Sequence, residues 1–153
     1  MQIYTVSFFG HIRINDWQTA ENRLLREISE LIKTKEYVEF LVGRNGDFDR
    51  MAASAVRSAK LELDYGNSEL MYVAERQVRN IAELEQYYDR VEVCSEAENA
   101  YFKAAIQTRN KAMVERSDMV ICCIERNSGG AYTAVKYAIK LGKRVVNVAE
   151  DQV

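Results

Sequence analysis

The stretch that decides the fold is residues 119–130, which read Met-Val-Ile-Cys-Cys-Ile-Glu-Arg-Asn-Ser-Gly-Gly. Residues 119–125 are almost continuously apolar, which is typical of a strand that is covered on both faces. Two glycines then lead into a helical pattern over residues 131–141, with Gly142 positioned to end the helix. A buried strand, a glycine turn and a helix together form the repeating unit of a parallel sheet.

The same unit recurs along the chain. Asp47 can cap a second helix, whose predicted inner face is Phe48, Ala52, Ala55, Val56 and Ala59. The next long helix covers residues 97–116, and residues 75–90 are predicted as a loop with a short helix. Strands alternating with helices favour an α/β fold: a single Rossmann-like domain over residues 1–153, a three-layer sandwich whose doubly wound, mostly parallel sheet carries helices on both faces. The other predicted strands are residues 2–9, 37–42, 69–74, 91–94 and 144–149, and the first helix is predicted after Asn15 or Asp16 with an apolar stripe at Leu24, Leu25, Ile28, Leu31 and Ile32.

Composition narrows the classes of function. The chain has 153 residues, 48% hydrophobic and 29% charged, which is ordinary globular usage for one domain. Its net charge of −2 offers no overall basic excess, which argues against nucleic acid as a partner and leaves a local basic patch as the alternative. The apolar run of residues 119–124 is far shorter than the roughly 20 residues of a membrane helix. Three cysteines, no secretory leader and one histidine, His11, indicate a reducing cytoplasmic location and argue against a zinc site.

The loop after the strand of residues 119–125 is the first candidate site. In doubly wound sheets, ligands bind beyond the carboxyl ends of the strands, where the loops gather. Gly129 and Gly130 at a helix start would let free N–H groups approach an anion such as phosphate. Ser128 and Thr133 could add hydroxyl donors, and Ala131 completes this candidate loop. A plain strand-to-helix turn explains the glycines equally well.

Two further loops are candidates at the same edge. The loop after residues 37–42 contains two glycines and an arginine, which could bind a negative ligand. The structural alternative is an Asn-Gly turn followed by an Asp cap. The loop after the first strand begins with Gly10 and His11, and this histidine either orients a ligand or has a structural role. The residues proposed for the second loop are Gly43, Arg44, Asn45, Gly46 and Asp49.

Arg109 is the charge that most needs a partner. At helical spacing it shares a stripe with Phe102, Ile106 and Met113, so it should face the sheet. A buried guanidinium must meet a bound anion or a carboxylate, for which Glu125 and Asp49 are the candidates. The bound anion is slightly preferred, because the three loops would lie nearby.

Several familiar catalytic motifs are missing. The chain has no G-x-G-x-x-G after its first strand, no P-loop and no G-x-S-x-G elbow. These absences argue against nicotinamide oxidoreductases, P-loop NTPases and serine hydrolases. Cys122 and Cys123 lie within the apolar strand and are predicted to be unreactive core residues.

The motifs together resemble a known group, the YpsA-like branch of the SLOG superfamily. The resemblance spans nearly the whole chain and is loosest over residues 60–100. It rests on residues 5–11 (Thr-Val-Ser-Phe-Phe-Gly-His), the pattern Val42-Gly43-x-Asn45-Gly46-x-Phe48-Asp49-x-Met51-Ala52, then Arg109-Asn110-x-x-Met113, Ser117-Asp118, Ser128-Gly129-Gly130-Ala131-x-Thr133 and Val145-Val146-Asn147-Val148.

The resemblance carries functional expectations. This Rossmann-like superfamily includes the LOG phosphoribohydrolases and the DNA-processing protein DprA, and many members are thought to sense nucleotide-type ligands. It implies a nucleotide or nucleotide-derivative site under the Gly-Gly loop, with Arg109 and Asn110 beside it, and no cofactor is assigned. It also implies a homodimer or a higher homo-oligomer, which an aromatic group formed by Tyr87, Tyr88, Tyr101 and Phe102 would support.

One departure from the LOG pattern affects the expected activity. LOG enzymes carry P-G-G-x-G-T-x-x-E, whereas here Ser128 replaces the proline, Tyr132 replaces the third glycine, and Val135 or Lys136 stands where the catalytic glutamate would be. Ligand binding without turnover is therefore the first interpretation, and no catalytic residue is assigned. The alternatives are cleavage or transfer of an N-glycosidic bond, with Glu125 or Asp49 supplying the acid, and a DprA-like nucleic-acid binder.

Overall fold

The computed structural model describes residues 1–150, and its centre is a parallel sheet of six strands. In chain order the strands are β1 (Ile3–Gly10), β2 (Tyr37–Val42), β3 (Ser68–Ala74), β4 (Arg90–Val93), β5 (Met119–Cys123) and β6 (Arg144–Asn147). They lie in the order β4-β3-β2-β1-β5-β6, and every neighbouring pair is parallel. The predicted α/β class and Rossmann-like parallel sheet are therefore confirmed.

Five helices connect these strands in the part of the chain that the structure describes: α1 (Trp17–Thr34), α2 (Asp47–Leu63), α3 (Ile81–Tyr87), α4 (Phe102–Arg116) and α5 (Gly130–Lys140). Buried side chains of α1, α2 and α3 pack with one face of the sheet, around Phe8, Phe40 and Ile121. Buried side chains of α4 and α5 pack with the other face, around Leu41 and Cys122. Helices cover both faces, and apolar burial on both faces stabilises the fold.

The helices on the first face follow the predicted patterns. The side chain of Asp16 accepts a hydrogen bond from the backbone N–H of Thr19 at 3.3 Å, which caps the start of α1. Four of the five residues of the predicted α1 stripe are buried, and Leu25 is half-buried. Helix α2 begins at Asp47 itself, so Gly46 rather than the predicted Asp47 is the cap residue. The whole predicted inner face of α2 is buried: Phe48, Ala52, Ala55, Val56 and Ala59.

Helix α4 begins later than predicted, at Phe102 rather than at residue 97. The backbone N–H of Ala97 bonds to the carbonyl of Cys94, and that of Ala100 bonds to the carbonyl of Ala97. These bonds span three residues instead of the four of an α-helix, so this segment closes tight turns. Helical periodicity extends through the segment because Ala97 is itself fully buried.

Strands β5 and β6 both end before their predicted limits of residues 125 and 149. After β5, the backbone of Ile124 bonds to the side chain of Asn147 instead of to a backbone partner in β6. Oδ1 of Asn147 accepts from the N–H of Ile124 at 3.0 Å, and Nδ2 donates to the carbonyl of Ile124 at 3.0 Å. An amide side chain can match both groups of a backbone in this way. Strand pairing therefore ends at Cys122–Asn147.

The order of the strands places a crevice at the centre of the sheet. From β1 the chain moves outward through β2, β3 and β4, and it then crosses to β5 and β6 on the other side of β1. The loops that leave β1 and β5 consequently diverge to opposite faces, which is where such sheets bind ligands. No helix within residues 1–150 is long and apolar enough to span a membrane.

Candidate functional site

A cavity of about 690 Å³ opens at the carboxyl ends of the central strands. Its wall comes from the loops after β1, β2 and β5 and from helices α4 and α5. The structure brings twelve of the fourteen predicted site residues into this wall. They are Gly10, His11, Gly43, Asn45, Asp49, Arg109, Asn110, Ser128, Gly129, Gly130, Ala131 and Thr133.

Two predicted residues, Arg44 and Gly46, lie outside the cavity wall. Arg44 turns away, and its guanidinium lies over the ring of Tyr72 at 5.6 Å from the ring centroid. A Cβ on Gly46 would lie 2.5 Å from the Cα of Ile12, so this glycine serves a close backbone approach between two loops. The backbone N–H of Asp47 donates to the carbonyl of Ile12 at 2.8 Å and fastens the same contact.

The N-terminus of α5 provides the candidate anion site. Gly129 has φ +97°, a conformation that favours glycine, and its carbonyl accepts from the N–H of Thr133 at 3.1 Å. The N–H groups of Gly130, Ala131 and Tyr132 precede this first helical bond, so they have no partner within the helix. Because the helix end is also electropositive, this end of the cavity suits an anion.

The two hydroxyl residues at this end differ in their availability. Thr133, predicted as a ligand donor, instead donates its hydroxyl to the carbonyl of Gly129 at 3.1 Å. Ser128 lies in the cavity wall, and its hydroxyl makes no hydrogen bond to any of the residues that the structure describes. Ser128 is therefore the hydroxyl that remains available beside the helix end.

Arg109 forms an internal ion pair, and its partner is Glu75 rather than Glu125 or Asp49. The side chain is 3% exposed, and Nη1 donates to Glu75 at 3.0 Å and to the carbonyl of Val73 at 3.2 Å. Nη2 donates to Oδ1 of Asn45 at 2.6 Å, while Nη2 and Nε both donate to Oδ1 of Asn110 at 3.1 Å. A guanidinium has five N–H donors, and these five bonds engage all of them.

The buried face of α4 is rotated from the predicted stripe. Ala105, Arg109 and Met113 face the sheet, whereas Phe102 is 59% exposed and Ile106 is half-buried. The stripe prediction was wrong for Phe102, because this residue is the first of the helix and lies at the rim of the cavity.

The acidic residue of the cavity wall, among the described residues, is Asp49. Its Oδ2 accepts from the backbone N–H of Asn45 at 2.8 Å. Burial raises the pKa of Asp49, and the Asn45 hydrogen bond and the positive charge of Arg109 oppose this change. Glu125 lies elsewhere: it accepts from Nδ2 of Asn15 at 2.7 Å and lines a separate cavity of about 90 Å³.

Neither residue at the position of the LOG catalytic glutamate, Val135 or Lys136, is a carboxylate. Val135 is buried between α5 and the sheet, and Lys136 is exposed with its Nζ 5.5 Å from the ring centroid of Tyr132. The cavity thus contains a single described carboxylate, whereas glycoside hydrolysis generally uses two.

His11 connects two of the loops that form the cavity. It is buried, and its Nε2 accepts a hydrogen bond from the backbone N–H of Arg126 at 3.1 Å. Burial and the nearby charge of Arg126 lower the pKa of His11, so the neutral ring is favoured. This hydrogen bond gives His11 a structural role, in holding the loops after β1 and β5 together. The ring also lines the cavity.

Cations form a feature of the site that the overall charge concealed. Lys103 and Arg126 line the cavity, and neither was predicted. Residues 102–144 contain nine Lys or Arg and three Asp or Glu, while the other 110 residues contain twelve and twenty. Counting charge by segment would have revealed this asymmetry. Within the described chain, the exposed cations of this segment without an ion pair are Lys103, Lys111, Arg126, Lys136, Lys140 and Arg144.

The predicted aromatic group does not form one surface. Tyr88 is 6% exposed and packs against Tyr72 and Tyr87, with ring centroids 5.4 and 4.9 Å away. Tyr101 is 91% exposed and precedes Phe102 at the cavity rim, whereas Tyr87 lines another cavity. Tyr88 therefore packs inside the protein while Tyr87, Tyr101 and Phe102 are exposed, and the homo-oligomer stays a prediction.

The cysteines occupy the predicted positions. Cys122 and Cys123 are buried in the cores on opposite faces of the sheet. Burial raises the pKa of Cys122 to about 12 and that of Cys123 to about 11, so both thiols stay protonated at neutral pH.

Comparison with known proteins relates the chain to solved structures alone. No family model and no curated protein matches it. DNA processing protein A (DprA) from Streptococcus pneumoniae aligns with a TM-score of 0.69 and 16% identity, over 94% of this chain and 49% of that one. DNA processing protein A from Helicobacter pylori, described for its single-stranded DNA binding mode, aligns with a TM-score of 0.65 and 15% identity, over 93% of this chain and 63% of that one.

This likeness shows the fold. The chain has a DprA-type Rossmann-like architecture, as the resemblance to the SLOG superfamily implies. It spans about half of the first relative and less than two thirds of the second.

Proposed function

We propose that the chain binds single-stranded nucleic acid and holds one phosphate at the N-terminus of α5. The observation that carries this proposal is that the free N–H groups of the helix end share one cavity with the cations Lys103 and Arg126. Backbone N–H groups and cationic side chains are the groups that bind phosphate oxygens in nucleic-acid complexes. The DprA relatives support the proposal, since one of them is described for a single-stranded DNA binding mode.

The distribution of charge also supports this function. The net charge of −2 argued against a nucleic-acid partner, but this argument averaged two unlike parts of the molecule. Lys103, Lys111, Lys136 and Lys140 belong to α4 and α5, which cover one face of the sheet, and residues 102–144 contain only three of the 23 acidic residues. Counterion release depends on the phosphates that the local cations contact rather than on the net charge.

Exposed aromatic rings favour a single strand over a duplex. Tyr101 and Phe102 are exposed, and Phe102 lies in the cavity wall next to Lys103. Unpaired bases stack on such rings, and each stack contributes about 1–3 kcal/mol, whereas the bases of a duplex are already stacked. A phosphate site with adjacent rings and cations is therefore suited to an unpaired strand.

Binding of labelled oligonucleotides tests this function. We expect fluorescence anisotropy to show binding to a mixed-sequence single strand of about 20 nucleotides and weaker binding to the matching duplex. The logarithm of the affinity should fall linearly with the logarithm of the salt concentration, with a slope of about −0.7 for each phosphate contacted. Absence of binding at low salt, or an affinity that is independent of salt, would contradict the proposal.

A free nucleotide or nucleotide derivative is the second candidate, as expected for the YpsA-like branch. The observation in its favour is the cavity of about 690 Å³, which lies within the range of roughly 300–1,000 Å³ for small-molecule sites. A thermal-shift screen with nucleotides, cyclic dinucleotides and ADP-ribose derivatives tests it. A ligand at 100 times its dissociation constant should stabilise the protein by about 2.7 kcal/mol. Release of base or ribose phosphate in the same samples would indicate an N-glycosidic enzyme.

Self-association is part of the proposal on the strength of the family resemblance. We expect a homodimer at micromolar protein concentration. Light scattering of the purified protein tests this expectation, and a purely monomeric mass would contradict it.

A further inference from the structure

Asp49 is a cavity residue that the phosphate site does not use. It lies near the N-terminus of α2 in the cavity wall that also contains the start of α5. Its Oδ2 accepts from the N–H of Asn45 at 2.8 Å. Within residues 1–150, its other carboxylate oxygen accepts no hydrogen bond. An acceptor thus remains in a cavity whose helix end favours an anion.

The neighbouring charged side chains donate no hydrogen bond to the second carboxylate oxygen of Asp49. Arg109 is near enough to influence it, but all five guanidinium N–H groups of Arg109 are engaged by other acceptors. Arg50 lies on the exposed side of α2 and pairs with Asp47 at 2.7 Å, and Glu75 is acidic and pairs with Arg109. A partly buried acceptor of this kind gains most from a hydrogen-bond donor on a ligand.

We propose that Asp49 determines base preference in the cavity by accepting a hydrogen bond from an amino group of a nucleobase. This inference rests on the proposed binding of single-stranded nucleic acid. Cytosine presents the N4 amino group, which Asp and Glu side chains accept in known base contacts. Thymine has one N–H between two carbonyl oxygens. A carboxylate that approaches this N–H is also repelled by the partial negative charges of the two oxygens. Asp49 therefore favours cytosine over thymine.

Comparison of oligo-dC with oligo-dT isolates this effect. Both strands have the same phosphates and a single-ring base, so they differ mainly in the groups that the base edge presents. We expect the wild-type protein to bind oligo-dC about tenfold more tightly than oligo-dT, the scale of one hydrogen bond to a charged group. Equal affinities for the two strands in the wild-type protein would overturn the inference without any variant.

The substitution Asp49→Asn then tests the residue itself. The amide keeps an oxygen that can accept from the N–H of Asn45, and it replaces the second oxygen with a donor that suits a thymine carbonyl. We expect the ratio of oligo-dC to oligo-dT affinity to fall by about tenfold or more. The matched control is Asp47→Asn, an exposed position outside the cavity, which should leave the ratio unchanged.

The outcomes separate this inference from the proposed function. Binding of neither strand by the wild-type protein would overturn the proposed function, and this inference with it. Binding of both strands with the same ratio in wild type and Asp49→Asn would overturn the role of Asp49 alone. A thermal melt of each variant shows whether it is folded, and the wild-type ratio still decides if Asp49→Asn does not fold.

Discussion

The guanidinium of Arg109 lies directly against the backbone of Gly43, at a distance that leaves no room for a Cβ at position 43 unless the guanidinium shifts. A Cβ on Gly43 would be 2.9 Å from Nη2 and 3.0 Å from Cζ and Nη1 of Arg109. The guanidinium thereby reaches acceptors in the loop after β2, at the end of β3 and on its own helix. This contact lies in the wall of the candidate site.

Replacing Arg109 with Met should destabilise the protein in the absence of any ligand. The change leaves Glu75 without its ion-pair partner and removes donors from Asn45 and the carbonyl of Val73. Breaking a buried pair in this way costs about 3–5 kcal/mol, and urea denaturation should show a loss of this size. Lys111→Met on the exposed side of the same helix is the control, with a change within about 0.5 kcal/mol.

The same measurement decides between the two roles considered for Arg109. A loss below about 1 kcal/mol would show that the internal ion pair contributes little. In that case a direct role in binding an anion would again have to be considered, and an affinity titration of the variant would show it.

Replacing Gly43 with Ala should destabilise the protein through the same contact. The new methyl group would displace the guanidinium, and overpacking of this kind typically costs about 1–3 kcal/mol. Gly130→Ala is the matched control, because a Cβ there meets nothing within 4 Å and alanine is the better helix former. Denaturant melts should therefore rank Gly43→Ala below the wild type and Gly130→Ala at or above it, and equal stability of the two variants would contradict the contact.

Replacing Gly130 with Asp should weaken oligonucleotide binding at least tenfold and preserve the fold. A carboxylate at the start of α5 would repel a phosphate at the free N–H groups, and Asp is well tolerated in the first turn of a helix. Oligonucleotide anisotropy should show at least a tenfold loss of affinity, about 1.4 kcal/mol, beside an unchanged thermal melt. Gly130→Ala controls for the added side chain, and full affinity in a folded Gly130→Asp protein would contradict the anion site.

The stability of the protein should depend on pH through His11. Its folded-state pKa is lowered by burial and by Arg126, so the neutral ring is favoured in the fold. The stability that this gives is present above the unfolded pKa of about 6.5 and is lost as the pH falls through the lowered folded pKa. In urea melts between pH 7.5 and pH 5, the wild type should lose stability relative to His11→Gln, whose side chain does not titrate. A constant difference across this range would contradict the neutral-ring assignment.

Much of the sheet could be predicted because its signals are local. The apolar strand at residues 119–123 and the glycine turn after it specify a unit that any parallel sheet would use. The start of α4 could not be predicted, because a buried Ala97 continues helical periodicity through a segment that forms three-residue turns. A periodic pattern indicates which side chains are buried. The side chain of Ala97 would be buried in a helix and is also buried in the observed turns, so the pattern does not distinguish the two.

The residues of the site were easier to predict than their partners. Loops at the carboxyl edge gather by topology, so Gly10, Asn45 and Gly130 were placed in one wall from their positions after strands. The pairing of Arg109 with Glu75 depends on the end of β3 lying beside α4, and no sequence spacing encodes that contact. The cations of the site were missed because charge was summed over the chain instead of by segment.

The excess of basic residues within residues 102–144 is expected to give the molecule an electric dipole moment. Nine basic and three acidic residues in one segment oppose twelve basic and twenty acidic residues elsewhere. A polyanion that approaches should therefore rotate the protein before contact, so encounters begin with the basic face and association is accelerated at low ionic strength. We therefore expect a cation exchanger to retain this protein at neutral pH and low ionic strength, even though its net charge is −2.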